Sequence, residues 1–201
     1  LVYRPCFRIY YLWVNNLAKI ILKNTVARWH AWGVLFIIAL GSLLHFAFAF
    51  LGKPVWLAFL FPVNESVWEH LKMAYWPALL WWIIGYFTLR RQAAPGCRLW
   101  FSAAAAALIV PLFVIVMLYY FYTGVFGIES VIVDIAIYVL AVLAGQAVGV
   151  YCYRRLPERW PLFFMAVLVI LGLAAAFVWF TYDPPAVDLF YDHHHHSYGI
   201  N

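Results

Sequence analysis

Nine consecutive residues, Asn64-Glu65-Ser66-Val67-Trp68-Glu69-His70-Leu71-Lys72, set two carboxylates, an imidazole and an amine in an otherwise apolar chain. At 100° per residue a helix would carry Glu65, Glu69 and Lys72 on one side and Ser66 and His70 on another. Carboxylate with imidazole is a ligand set for Zn2+, Mn2+ or iron, and it also supplies general acid–base pairs. Two further ionisable residues lie within long apolar runs, His45 and Asp134. Such groups are costly in a bilayer and ordinarily face the bundle interior or a cavity. Asp134, Tyr138, Ala141, Gly145 and Gly149 share one helical stripe, which turns the aspartate toward neighbouring helices.

These residues define an expected site. With a divalent transition metal such as zinc as cofactor, His45, Glu69, His70 and Asp134 are the expected ligands. Glu65 is the expected general base, and Lys72 the group that holds an anionic head group or stabilises an oxyanion. A structural reading competes with this one. Ser66-x-x-Glu69 is also a capping box, Glu65 favours the positive end of a helix dipole, and His45 or His70 alone fits a hydrogen-bonded packing residue. The run His193 to His196 offers loose transition-metal affinity rather than a catalytic centre, because consecutive histidines in extended chain alternate in direction.

The elements that position these groups follow from composition. The chain has 201 residues, 68% apolar and only 10% charged, with mean hydropathy +0.88. Soluble domains carry roughly 25% charged residues, so the bilayer must cover most of the exterior. The expected fold class is all-α, a polytopic membrane helical bundle. Five runs approach the ~20 residues that span a bilayer: Trp32 to Leu51, Met73 to Leu89, Leu99 to Phe121, Val131 to Val150 and Leu162 to Thr181. Pro77 and Pro111 fall inside runs, where kinks are expected. Before them, Arg4, Arg8, Asn15, Asn16, Lys19 and Lys23 gather on one arc of a helix whose remainder is apolar, the pattern of an interfacial helix. The same polar residues argue against a cleavable signal peptide. The domain reading is therefore a basic interfacial helix over 1–30, a five-span bundle over 31–182 and an acidic, histidine-rich tail over 183–201.

Loop charges orient the bundle. Basic residues dominate before the first span, between the second and third (Arg90, Arg91, Arg98) and between the fourth and fifth (Arg154, Arg155, Arg159). The intervening loops and the tail lack that excess. Lys/Arg-rich segments stay cytoplasmic, which puts the N-terminus inside, the tail outside, and His45, Glu65, Glu69, His70 and Asp134 all near the outer face. The net charge of +5 is spent on topology and forms no single basic face, so nucleic acid is not an expected partner. The lipid bilayer is; a second copy or another membrane protein stays open. Cys6, Cys97 and Cys152 form no CxxC pair and carry neither a zinc ribbon nor a redox motif.

Several motifs recur in order: G-S-L-L-H-F at Gly41 to Phe46, F-P-V-N-E-S-V-W-E-H-L-K at Phe61 to Lys72, Y-T-G-V-F-G at Tyr122 to Gly127, V-D-I at Val133 to Ile135, and P-P-x-x-x-L-F-x-D with Y-G-I between Pro184 and Ile200. From Ala31 to Ile200 the chain resembles a family of small prokaryotic integral membrane proteins with an N-E-S-x-W-E-H-x-K signature. That resemblance implies a compact multi-span protein in a prokaryotic plasma membrane, and no particular activity. Three functions remain: a metal-dependent membrane hydrolase with its site at the outer leaflet, a transporter or channel subunit using the same residues as a proton or cation relay, and a non-catalytic membrane partner whose polar cluster braces the helices.

Overall fold

The structure, a computed structural model, describes the backbone over Arg4 to Ala93 and Gly96 to Ile200, and side chains over Asn24 to Arg90 and Gly96 to Ile200. Five long helices follow one another: α1 (Arg4–Phe50), α2 (Val67–Ala93), α3 (Cys97–Phe126), α4 (Val131–Arg155) and α5 (Trp160–Tyr182). A 3-10 helix, Val55–Leu60, fills the α1–α2 connection. After α5 the chain makes a second 3-10 turn and a small hairpin of β1 (Tyr191–Asp192) and β2 (Ser197–Tyr198), with Tyr191 opposite Tyr198 and Asp192 opposite Ser197. The fold is all-α apart from that hairpin.

Among the described residues, four stretches are long and apolar enough to cross a membrane: Asn24–Phe50, Cys97–Phe126, Val131–Arg155 and Trp160–Tyr182. They overlap four of the five expected spans, the first of which ends one residue later, at Leu51. The other expected span lies in α2, which falls short of that measure among the described residues. The reason is composition: α2 is rich in Trp and Tyr, which carry polar N–H and O–H groups, and holds Glu69, Lys72, Arg90 and Arg91. α2 packs against α1 and α3, receives Tyr138 of α4 at Met73, and gives the Tyr75 hydroxyl to the Ile170 carbonyl of α5 at 2.6 Å. Its other face is not enclosed, since Leu80, Ile83, Ile84 and Phe87 are exposed. The expected boundary near residue 30 is no break in the backbone, since α1 is continuous. No Pro or Gly lies between Lys23 and Trp32 to interrupt it. The side chains of the expected interfacial arc, Arg4 to Lys23, lie outside the described residues.

Close helix contacts are set by glycine and proline. Trp29 of α1 and Trp81 of α2 stack with centroids 4.4 Å apart. The Trp81 indole fills the space where a side chain at Gly33 would stand, and a Cβ at Gly85 would come within 2.6 Å of the Trp29 indole nitrogen. Each tryptophan thus occupies the notch of a glycine on the other helix. On α4, Gly145 and Gly149 face inward: Cβ atoms there would meet the Ala107 carbonyl oxygen at 2.8 Å and Trp82 at 2.6 Å. The Gly145-x-x-x-Gly149 stripe is therefore used inside the bundle. Pro77 and Pro111 sit within unbroken helices. Each lacks the N–H that would bond four residues back, freeing the carbonyls of Met73 and Ala107. The Tyr138 hydroxyl reaches the Met73 oxygen at 3.2 Å and the Ile37 oxygen at 3.0 Å, sharing its proton between α2 and α1.

Candidate metal centre

The α1–α2 connection folds back over the end of the bundle and is held there by a buried ion pair. Lys72 is fully buried and Glu69 is 3% exposed. The Lys72 ammonium donates to Glu69 Oε2 at 2.5 Å and to the carbonyls of Ala58 at 3.2 Å and Phe61 at 3.1 Å. An ammonium has three protons, and all three are used. Glu69 Oε2 also accepts the Val63 N–H at 2.9 Å. Glu69 and Lys72, expected respectively as a metal ligand and as an anion-binding group, are instead turned toward each other and the connection backbone. The capping box is half formed, with the Glu69 N–H 3.4 Å from Ser66 Oγ. The Ser66 N–H goes to Asn64 Oδ1 at 2.9 Å.

Glu65 precedes α2 and turns the other way. Its Oε2 lies 3.3 Å from His70 Nε2, and its Oε1 lies 3.9 Å from His45 Nε2. The two imidazole centroids are 5.2 Å apart. One ligating atom from each of His45, Glu65 and His70 lies within 4.8 Å of the others. All three side chains are partly exposed, at 24%, 40% and 33%. His70 Nδ1 lies 2.8 Å from the Ser66 carbonyl oxygen. That oxygen can only accept, so Nδ1 carries the proton and Nε2 faces the carboxylate. A carbonyl that fixes the tautomer this way is the usual second partner of a metal-ligating histidine. Two ligands at ~2.05 Å from a tetrahedral ion stand about 3.3 Å apart, so the His70–Glu65 separation already fits. His45 Nδ1 is buried and has no hydrogen-bond partner among the described residues. When His70 is protonated at both nitrogens, its Nε2–H donates to Glu65 and holds that carboxyl below its ordinary pKa, against the opposing effect of burial.

Asp134 does not join this group. It lies in the first turn of α4 and accepts the Tyr122 hydroxyl of α3 at 2.6 Å. The histidine tract forms the hairpin turn, and its members point to different partners: His193 to Asp188 at 3.1 Å, His195 to Asp192 at 2.8 Å, His196 to Tyr191 at 3.3 Å. His30, 15 residues before His45 on α1, is buried with Nδ1 2.8 Å from Gln146 Oε1.

The tail supplies a group that sequence reasoning did not assign. Asp192 has no exposure, and its Oδ2 accepts the Glu65 N–H at 3.1 Å. Burial raises its pKa, but bonds from the His195 ring and from the N–H groups of His195, Glu65 and His194 outweigh that and bring it to about 2. Asn64 Nδ2 donates to the Gly199 carbonyl at 2.8 Å. The signal for both was present as motif: Asn64 opens N-E-S, and Asp192 closes P-P-x-x-x-L-F-x-D.

A family model covers residues 18–200, from before the first apolar run to the tail that clasps Asn64 and Glu65. The chain belongs to a family of unknown function, DUF6512. The DUF6512 stretch includes His45, Glu65, His70 and Asp192 together, so every part of the cluster lies within the family's own extent. No curated protein and no solved structure matches the chain.

Proposed function

We propose that this chain is a multi-pass membrane protein that holds a divalent transition-metal ion, zinc by ligand type, through His45, Glu65 and His70, and uses it for hydrolysis at the outer membrane face. The observation that carries the reading is the convergence of two imidazole nitrogens on one carboxylate, with the His70 tautomer set by the Ser66 carbonyl. Two histidines and a glutamate leave coordination positions open, the arrangement of catalytic rather than structural zinc. The partial exposure of all three side chains supports an ion that substrate and water can reach. Such an ion lowers the pKa of bound water and polarises a carbonyl or phosphoryl oxygen. Glu65 serves here as ligand instead of base. Lys72 and Glu69 brace the connection that carries it.

The alternating basic loops support a cytoplasmic N-terminus and an extracytoplasmic tail, in the plasma membrane of a prokaryote by the signature resemblance. The relay alternative has less support, because Asp134 is engaged by Tyr122 apart from the two histidines.

The test is metal analysis of purified, tag-free protein, beside His70→Ala. The reading expects about one equivalent more metal in the wild type than in the variant, and chelator-sensitive cleavage in a panel of lipid-like ester and phosphoester substrates. Equal metal content in the two proteins would leave a protonated His70–Glu65 ion pair as the meaning of the cluster. Bound metal with no hydrolysis would remove the hydrolase part alone.

A further inference from the structure

We propose that Asp192 is a positioning residue of this centre: delivered by the C-terminal hairpin, its carboxylate fixes the backbone at Glu65, so that the Glu65 side chain meets His45 and His70. The inference rests on the metal reading above. Four donors surround the carboxylate: Glu65 N–H at 3.1 Å, His194 N–H at 2.8 Å, His195 N–H at 3.0 Å and His195 Nδ1 at 2.8 Å. An ionised carboxylate has about four acceptor sites. All are filled, so Asp192 acts through Glu65 and is not itself a ligand.

The hairpin is built to present this group. Asp192 stands opposite Ser197 in a two-residue ladder. The chain returns through His196 at φ +53 and leaves through Gly199 at φ +74. That brings the Gly199 carbonyl to Asn64 Nδ2 while Asp192 takes the neighbouring Glu65 N–H. Asn64 in turn holds the Ser66 N–H, and the Ser66 carbonyl orients His70. Two adjacent residues of the α1–α2 connection are thus tied to the tail. The side chain between those ties and α2 is the carboxylate of the centre. Glu65 precedes the first turn of α2, so no helical geometry aims it, and these bonds are what does.

The test uses the full chain in detergent, titrated with Co2+ and followed by its visible absorption. The difference between wild type and His45→Ala isolates the centre from adventitious binding at the histidine tract. Outer-sphere partners of metal ligands typically contribute 10–100-fold to affinity. Asp192→Asn is expected to weaken Co2+ binding by about that factor and to alter the absorption bands. Asp188→Asn, which removes the charge beside His193 without touching Glu65, is expected to leave both unchanged. Should Asp192→Asn not fold, His195→Ala removes one donor from an exposed position and is expected to shift the bands with a smaller loss of affinity. Wild-type affinity and bands in whichever of these two variants folds would overturn the inference while leaving the centre standing. Absence of any difference between wild type and His45→Ala would overturn both.

Discussion

The Tyr138 hydroxyl of α4 lies 3.2 Å from the Met73 carbonyl oxygen of α2, the acceptor that Pro77 leaves without its helical donor. An unsatisfied buried polar group costs about 1–3 kcal/mol. Tyr138→Phe should lower stability by that amount, measured by thermal unfolding in detergent. In a Pro77→Ala background Met73 regains an N–H partner, so the same substitution should cost less. Equal costs in both backgrounds would show that the hydroxyl serves Ile37 alone.

The Glu69–Lys72 pair makes a sharper claim. Breaking a buried pair by removing one partner typically costs about 3–5 kcal/mol, whereas replacing both by apolar groups is often close to neutral. Lys72→Met should therefore destabilise severely. Glu69→Leu/Lys72→Met should recover most of the loss, with only the bonds to Val63, Ala58 and Phe61 missing. Near-wild-type stability in Lys72→Met would mean that the ammonium is reached by water and that its burial in the connection is incorrect.

Metal removal should be visible as stability. A ligand that binds only the folded state at 100 times its Kd stabilises by about 2.7 kcal/mol. Adding Zn2+ to chelator-stripped protein should raise the unfolding temperature. His45→Ala and Glu65→Gln should abolish the rise, and Asp134→Asn should leave it intact. A rise abolished by Asp134→Asn would return that residue to the ligand set.

Membrane orientation is testable with thiols. Cys97 is free and exposed at the start of α3, and Ser197 lies in the hairpin. In sealed cells an impermeant reagent should label Ser197→Cys and spare Cys97. Labelling of Cys97 would invert the bundle and place the centre in the cytoplasm.

Much of this architecture was legible in the sequence, for physical reasons that also mark where legibility ended. Apolar run length identified α1, α3, α4 and α5, because lipid exposure selects for apolarity. It was a weaker guide to α2, whose many Trp and Tyr residues lower its apolarity. Depth was readable too, and placed His45, Glu65 and His70 at one end. Direction was not. A helical wheel put Glu65 on the face of Glu69 and Lys72, but Glu65 stands before the helix begins, where the 100° repeat does not apply. Asp134 was turned inward as expected, yet Tyr122 claims it, a choice between inward partners that no periodicity encodes. The Asp192–Glu65 bond joins residues 127 apart, and nothing local announces it.

The paired indoles of Trp29 and Trp81 act as a height gauge for the His45–Glu65–His70 cluster. Each is seated against a glycine of the opposite helix, so α1 and α2 cannot slide past one another by a fraction of a turn without unseating both. From Gly33 to His45 is 12 residues along α1, and from Trp81 back to His70 is 11 along α2. At 1.5 Å per residue these arms are about 18 Å and about 16.5 Å long. Measured from one shared reference level, the two histidines are carried to nearly the same elevation. The tolerance of the cluster at one end of the bundle is therefore set by two tryptophan–glycine fits about three helical turns away.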